Sequence, residues 1–249
     1  MKIIEAARAK PGRFRDERIT MAHGAGGKAS QSLIEGLLAP ALAGEALELL
    51  GDAGIVPAAE GGGFAGGAPG PGGMDLALST DSFVVKPIRF PGGTLGELAV
   101  NGTVNDLAVC GARPLALTLS LVLEEGLGAD ELSEQVEAIA AAARAAAVEV
   151  VAGDTKVVER GRAEKLYACT TGLGAVDGRA RLSPRGLAAG DRILLSGPIG
   201  AHGMAVMLAR GEFELDAEIE SDTCSLWPAA GALLEAAGGE LHCMRDATR

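Results

Sequence analysis

Aromatic residues are scarce in this chain: Phe, Tyr and Trp together make up 3% of its 249 residues. A core must therefore be built from Ala, Leu, Val and Ile, and a hydrophobic content of 48% is ample for one large or two modest domains. Cysteine is equally thin. Cys110, Cys169, Cys224 and Cys243 stand singly, without a CxxC pair, which indicates neither a zinc site nor a disulfide framework. Positive charge is short too. Lys and Arg number 22 against 33 Asp and Glu, the net charge is −11, and no basic stripe is present, so nucleic acid is not expected as a partner. An acidic protein can still hold a nucleotide through a divalent cation and a few local donors. No apolar run reaches the length of a membrane span, and no signal peptide is expected, since Met1 to Arg15 is charged throughout. The expectation is a soluble cytoplasmic protein with no membrane partner.

The most informative stretch that is present runs from Ser79 to Ala112. A strand is predicted over Leu76 to Val85, then a turn at Pro91-Gly92-Gly93. A helix opens at Thr94, with Glu97 three places on at capping-box spacing. The polar content is out of place. Asp81 sits in an apolar strand, and Asn101, Asn105 and Asp106 sit in an apolar helix. Acids and amides are costly in a core unless something binds them. Oxygen donors converging from a strand and a helix suit a hard cation such as Mg²⁺ that bridges to phosphate.

Other segments frame this one. Residues 1–19 read as a poorly ordered extension. His23-Gly24-Ala25-Gly26-Gly27-Lys28 precedes a helical pattern from Ser30 to Pro40, an arrangement suited to clamping phosphate, though without Walker A spacing. Residues 58–73 read as a flexible glycine-rich insertion. Arg113-Pro114 is expected to stop the first helix, Leu115 to Leu123 to form a buried strand, and Asp130 to Val148 a long helix with Leu132, Val136, Ile139 and Ala140 on its apolar side. Gly153-Asp154-Thr155-Lys156 reads as a turn at a strand end from which the three polar side chains project together. Tyr167 to Gly174 is a further strand. The order is β-α-β-α-β-β, an α+β layout with one sheet and helices on one face. After a boundary at residues 178–190, a new strand is predicted at Asp191 to Ser196 and a helix at Met204 to Arg210. Another helix is expected to be capped by Ser221-Asp222 and to restart at Pro228. Only about sixty residues follow the boundary, short for a second core, so the second domain reads as truncated.

Taken together, AHGAGGK (Ala22 to Lys28), STDSFVV (Ser79 to Val85), the Phe90 to Ala112 segment, LEEGL (Leu123 to Leu127), VAGDTKVV (Val151 to Val158), SGPIGAHG (Ser196 to Gly203) and RDATR (Arg245 to Arg249) resemble the HypE hydrogenase maturation family of the AIR synthetase-like (PurM-like) superfamily. The resemblance implies a PurM-like N-terminal ATP-binding and dimerisation domain over 20–178 and the start of a PurM-like C-terminal α/β domain over 186–249. It implies ATP and Mg²⁺ as cofactors, and ATP-dependent dehydration of a cysteine S-carboxamide to a thiocyanate that supplies cyanide to [NiFe] hydrogenase. As partners it implies the carbamoyltransferase HypF, the HypC–HypD complex and a second copy of the chain. By the same resemblance Asp81, Asp106 and Asp154 are metal ligands, with Asn105 in support. His23, Gly26, Gly27, Lys28 and Thr155 join the nucleotide site, and Lys156 and Asp106 take part in the chemistry.

Two departures stand out. Ala201 replaces the acid that usually precedes the histidine of the SGxIGDHG motif. The family's terminal cysteine is also missing, and Cys243, upstream of RDATR, does not replace it. Selenophosphate synthetase is disfavoured, because no cysteine precedes the glycine-rich loop. Thiamine-monophosphate kinase, AIR synthetase and a non-catalytic ATP-binding scaffold are the alternatives.

Overall fold

The computed structural model describes residues 14–42, 52–56, 75–211 and 217–247. The insertion expected at 58–73, and most of the extension expected at 1–19, lie outside these residues. The chain divides into two compact units, Met1–Gly51 with Ala247–Arg249, and Asp52–Asp246.

In the first unit a 3₁₀ turn (Met21–His23) leads to helix α1 (Lys28–Leu33). The helix continues through a π-type segment (Ile34–Leu38) into Ala39–Leu42, two residues past the stop expected at Pro40.

The second unit is built on a five-stranded mixed sheet, in the order β1 (Gly54–Val56), β2 (Leu76–Phe83), β7 (Leu166–Val176), β5 (Ala112–Glu124) and β6 (Glu149–Val158). Only β5 and β6 pair in parallel, joined by helix α3 (Ala129–Ala145). A two-stranded ribbon, β3 (Arg89–Phe90) and β4 (Gly93–Thr94), feeds helix α2 (Leu95–Val109). Thr94 caps α2 as its spacing predicts, accepting from Glu97 N while Glu97 Oε2 accepts from Thr94 N at 3.0 Å. α2 and α3 lie on one face of the sheet. The core between them holds Val100, Val104, Leu117, Ile139 and Ala143, and a second cluster gathers Phe83, Leu95, Ala99, Leu121 and Leu166. This is the α+β layout expected, one sheet with helices on one face.

Several boundaries differ from expectation for identifiable reasons. α2 ends at Cys110 and Gly111 (φ 73°), before Arg113-Pro114, and Pro114 lies inside β5 where the register with β7 shifts. A proline tolerated at an irregularity needs no ladder N–H. The buried side of α3 is Gln135, Ile139, Ala142 and Ala143, whereas Val136 is exposed. The polar Gln135 belongs inside because its Oε1 accepts from Gly96 N at 3.0 Å. The expected strand at Asp191 to Ser196 is irregular, and Ile193, Leu194 and Leu195 are exposed. No other strand lies beside it among the described residues, so its backbone has no ladder to join. Helix α4 (Ala201–Ala209) forms, and helix α5 (Trp227–Ala237) starts at Trp227 instead of at Ser221-Asp222. Asp222 caps a different helix: its carboxylate accepts from His202 N in the first turn of α4 at 3.2 Å.

Candidate functional site

Ala77, Ser79, Asp81 and Phe83 alternate along β2 toward the helical layer, with Ala77, Ser79 and Phe83 buried. α2 crosses that layer and turns Asp106 back toward β2. Ser79 Oγ donates to Asp106 Oδ2 at 2.7 Å, so strand and helix meet in a charge-assisted hydrogen bond. Asp81 lies on the same face, half-buried and near Gly102 of α2. Burial pushes the Asp106 carboxyl up to about 7. The Ser79 hydrogen bond opposes the rise, and the charges of Asp81, Asp52 and Asp246 add to it. Asp246 is likewise raised, by burial first and then by Asp52 and Asp81, while Arg245 opposes. Arg245 Nη1 lies 3.3 Å from Asp52 Oδ2 and lowers an Asp52 carboxyl that burial raises.

The two acids singled out in the sequence are thus brought together, and Asp52, Asp246 and Arg245 join them. Ser79 and Asp52 could be inferred only weakly: Ser79 by its period-two spacing from Asp81, Asp52 by nothing local. Arg245 and Asp246 lie in the RDATR segment, which marks the family without disclosing a spatial partner. The donor set is oxygen-rich, and two carboxylates plus substrate phosphates are a usual complement for Mg²⁺. Among the described residues no group of three His, Cys, Asp or Glu stands ready to hold a metal ion by itself.

Asn105 is buried beside this pair but turned to another task. Its Nδ2 donates to Cys224 O at 3.0 Å, and its Oδ1 accepts from Leu226 N at 2.8 Å. Asn101 Nδ2 donates to Thr223 Oγ1 at 3.3 Å. The buried amides of α2 are accounted for by protein partners.

Gly153-Asp154-Thr155-Lys156 is not a turn at a strand end. It lies within β6, in continuous register with β5 from Thr118 to Glu124. Gly153 is needed there because a Cβ would stand 2.7 Å from Leu119 O. Strand alternation separates the polar side chains. Thr155 pairs with Leu121, which is buried against the helices, whereas Asp154 aligns with Ser120, Cys169 and Ser82 on the opposite face from Asp81. Three strand spacings of about 4.8 Å put Asp154 roughly 14 Å from β2. Lys156 Nζ lies 2.9 Å from Asp154 Oδ2, and its hydrogen bond holds the exposed Asp154 carboxyl below its usual value.

In the first unit His23 is buried. Thr20 N donates to its Nδ1 at 3.0 Å, and its Nε2 lies 2.9 Å from Asp16 Oδ2. A backbone N–H can only donate, so Nδ1 accepts and Nε2 carries the proton toward Asp16. Gly26 (φ 77°) donates from its N to Ser30 Oγ at 2.8 Å, Gly27 caps α1, and Lys28 is exposed in its first turn.

The profile of the AIR synthase related protein N-terminal domain matches residues 52–176, half of the chain. A carbamoyl dehydratase HypE of Bradyrhizobium diazoefficiens is 40% identical over 236 residues, 95% of this chain and 64% of its own length. One of Azotobacter vinelandii is 43% identical over 236 residues, 95% of this chain and 65% of its own. The chain therefore spans under two thirds of the length of these relatives. Among solved structures, a HypE–HypF complex is similar with a TM-score of 0.71 and 41% identity, over 82% of this chain and 62% of that one. A HypE in complex with ATP is similar with a TM-score of 0.67 and 39% identity, over 93% of this chain and 65% of that one.

Proposed function

This chain belongs to the AIR synthase-related family and has HypE proteins among its homologues, and from that premise we propose that it carries the nucleotide site of a HypE-type carbamoyl dehydratase. The observation that carries the proposal is the Asp81–Asp106 pair, held half-buried between β2 and α2 with Ser79 donating to Asp106. A protein gains nothing in stability from two neighbouring half-buried acids, whereas Mg²⁺ and the β- and γ-phosphates of ATP would compensate them. Residues 20–178 would form the nucleotide-binding and dimerising domain, and 186–249 the start of a second.

In the proposed reaction the oxygen of a cysteine S-carboxamide, R–S–C(=O)NH₂, attacks the γ-phosphorus of ATP and ADP leaves. The nitrogen then loses its two protons as the C–O bond breaks. The products are R–S–C≡N, ADP, inorganic phosphate and one net proton. Asp81 and Asp106 would hold the cation, and Ser79 would fix the direction of the Asp106 carboxylate. When bound, Mg²⁺ supplies neutralisation of phosphate charge. Asp154 and Lys156 lie on the opposite face of the sheet from this pair, and Thr155 lies on the same face three strands away. Lys156→Ala tests whether Lys156 steers the phosphoryl group or the carboxamide. The HypF and HypC–HypD assemblies and a role in [NiFe] hydrogenase maturation belong to the same proposal.

Calorimetry of Mg²⁺-ATP binding to the wild type and to Asp106→Asn tests the site. A loss of at least about tenfold in affinity is expected for the variant, from one displaced charge-assisted contact. Equal affinity would remove Asp106 from the site.

A further inference from the structure

The segment 221–226 crosses α2 in an irregular conformation and is held by hydrogen bonds both to its backbone and to its side chains. Ser221 N donates to Pro91 O at 2.8 Å, and a Cβ on Gly92 (φ 80°) would stand 2.6 Å from Ser221 N. Cys224 O and Leu226 N are taken by the two ends of one carboxamide, that of Asn105. The chemistry fixes the amide's orientation, since Leu226 N–H can only donate and Cys224 O can only accept. Asn101 adds its contact to Thr223 one helical turn away. Trp227, directly after the segment, packs on the core cluster that includes Val100 and Val104 of α2.

What the segment carries gives this clamp a purpose. Asp222 accepts from His202 N and so sets the first turn of α4, and Ser221 Oγ lies 3.0 Å from His202 Nδ1. The His202 ring in turn meets Phe90 edge-on, with centroids 5.1 Å apart. Asp222 is also one of the charges acting on Asp246, which acts on Asp106. Asn105 and Asp106 are consecutive on α2, one facing the segment and the other facing β2.

We infer that Asn105, with Asn101 in support, is a main-chain clamp that fixes segment 221–226, and with it Asp222 and the start of α4, relative to Asp106. It is a positioning residue for the nucleotide site and not a ligand of it. This inference rests on the nucleotide reading of the preceding section.

The test removes the clamp from either side. Asn105→Ala deletes the carboxamide, and Leu226→Pro deletes the N–H it accepts from while leaving α2 untouched. Mg²⁺-ATP affinity is measured by calorimetry for the wild type, each variant and the double variant. Hydrogen exchange of 221–226 is followed by mass spectrometry, and circular dichroism confirms folding. The expected result is a similar loss in both single variants, about tenfold, with no further loss in the double variant and faster exchange in all three. A loss in Asn105→Ala with none in Leu226→Pro would make Asn105 a direct ligand and overturn the inference, as would unchanged affinity in both. If Leu226→Pro does not fold, Thr223→Val paired with Asn101→Ala forms the equivalent cycle. Absence of Mg²⁺-ATP binding by the wild type overturns the nucleotide reading instead. Exchange alone then decides the clamp: faster exchange in both variants upholds it, and unchanged exchange overturns it.

Discussion

Asp106 sits in an environment that its residue type disfavours. Its carboxyl stands at about 7 in the folded chain, against an ordinary value of 3.8. A raised folded-state value means that the native chain binds the proton more tightly than the unfolded chain. The stability this contributes is complete below the unfolded value and is lost as pH rises from about 4 to about 7. Without divalent cations, the denaturation midpoint of the wild type should therefore fall between pH 5 and pH 8 relative to that of Asp106→Asn. Parallel pH profiles for the two would contradict the burial argument. The sequence revealed Asp81 and Asp106 because an acid in an apolar run is conspicuous. It did not disclose what Asn105 bonds to, since a buried amide looks the same whether a ligand or a distant backbone satisfies it. Asp52 and Asp246 were illegible because both lie in irregular segments, where an acid is unremarkable, and only the fold brings them near.

Elements were most legible where local chemistry dictates them. The Thr94–Glu97 capping box places the start of α2 to the residue, because both partners lie within one turn. α3 was harder: in an alanine-rich helix the apolar stripe is faint, and its buried glutamine is explained only by the neighbouring helix. That crossing yields a prediction. A Cβ at Gly96 would stand 2.4 Å from Gln135 O, backbone that cannot swing aside. Gly96→Ala should force α2 and α3 apart and lower stability by about 1–3 kcal/mol, readable as a drop in melting temperature. An unchanged melting temperature would show that the helices can separate freely. β6 was misread at its centre, because GDTK resembles a turn in sequence and becomes strand only through its pairing with β5. The segment at Asp191 to Ser196 is the converse, strand-like in sequence but without a neighbour to pair with among the described residues.

In the larger unit, one face of the sheet bears the helices, and the described strands expose residues on the other. Leu78, Thr80, Ser82, Thr118 and Asp154 are exposed there, in line across β2, β5 and β6. Proposed as the dimer surface, this face predicts that sedimentation will show a dimer in the wild type and a monomer in Thr118→Arg, which sets a charge at its centre without disturbing the core. A wild-type monomer, or a dimer indifferent to the arginine, would refute that placement. No helix among the described residues is long and apolar enough to cross a membrane. The ion pair between Arg245 and Asp52 joins the two ends of the larger unit. On the ribosome, the carboxylate of Asp52 is made long before the guanidinium of Arg245 that relieves it. The segment bearing Arg245 arrives as a clasp, so that completion of the unit, and not the appearance of the sheet, brings Asp52 and Asp246 to their final balance.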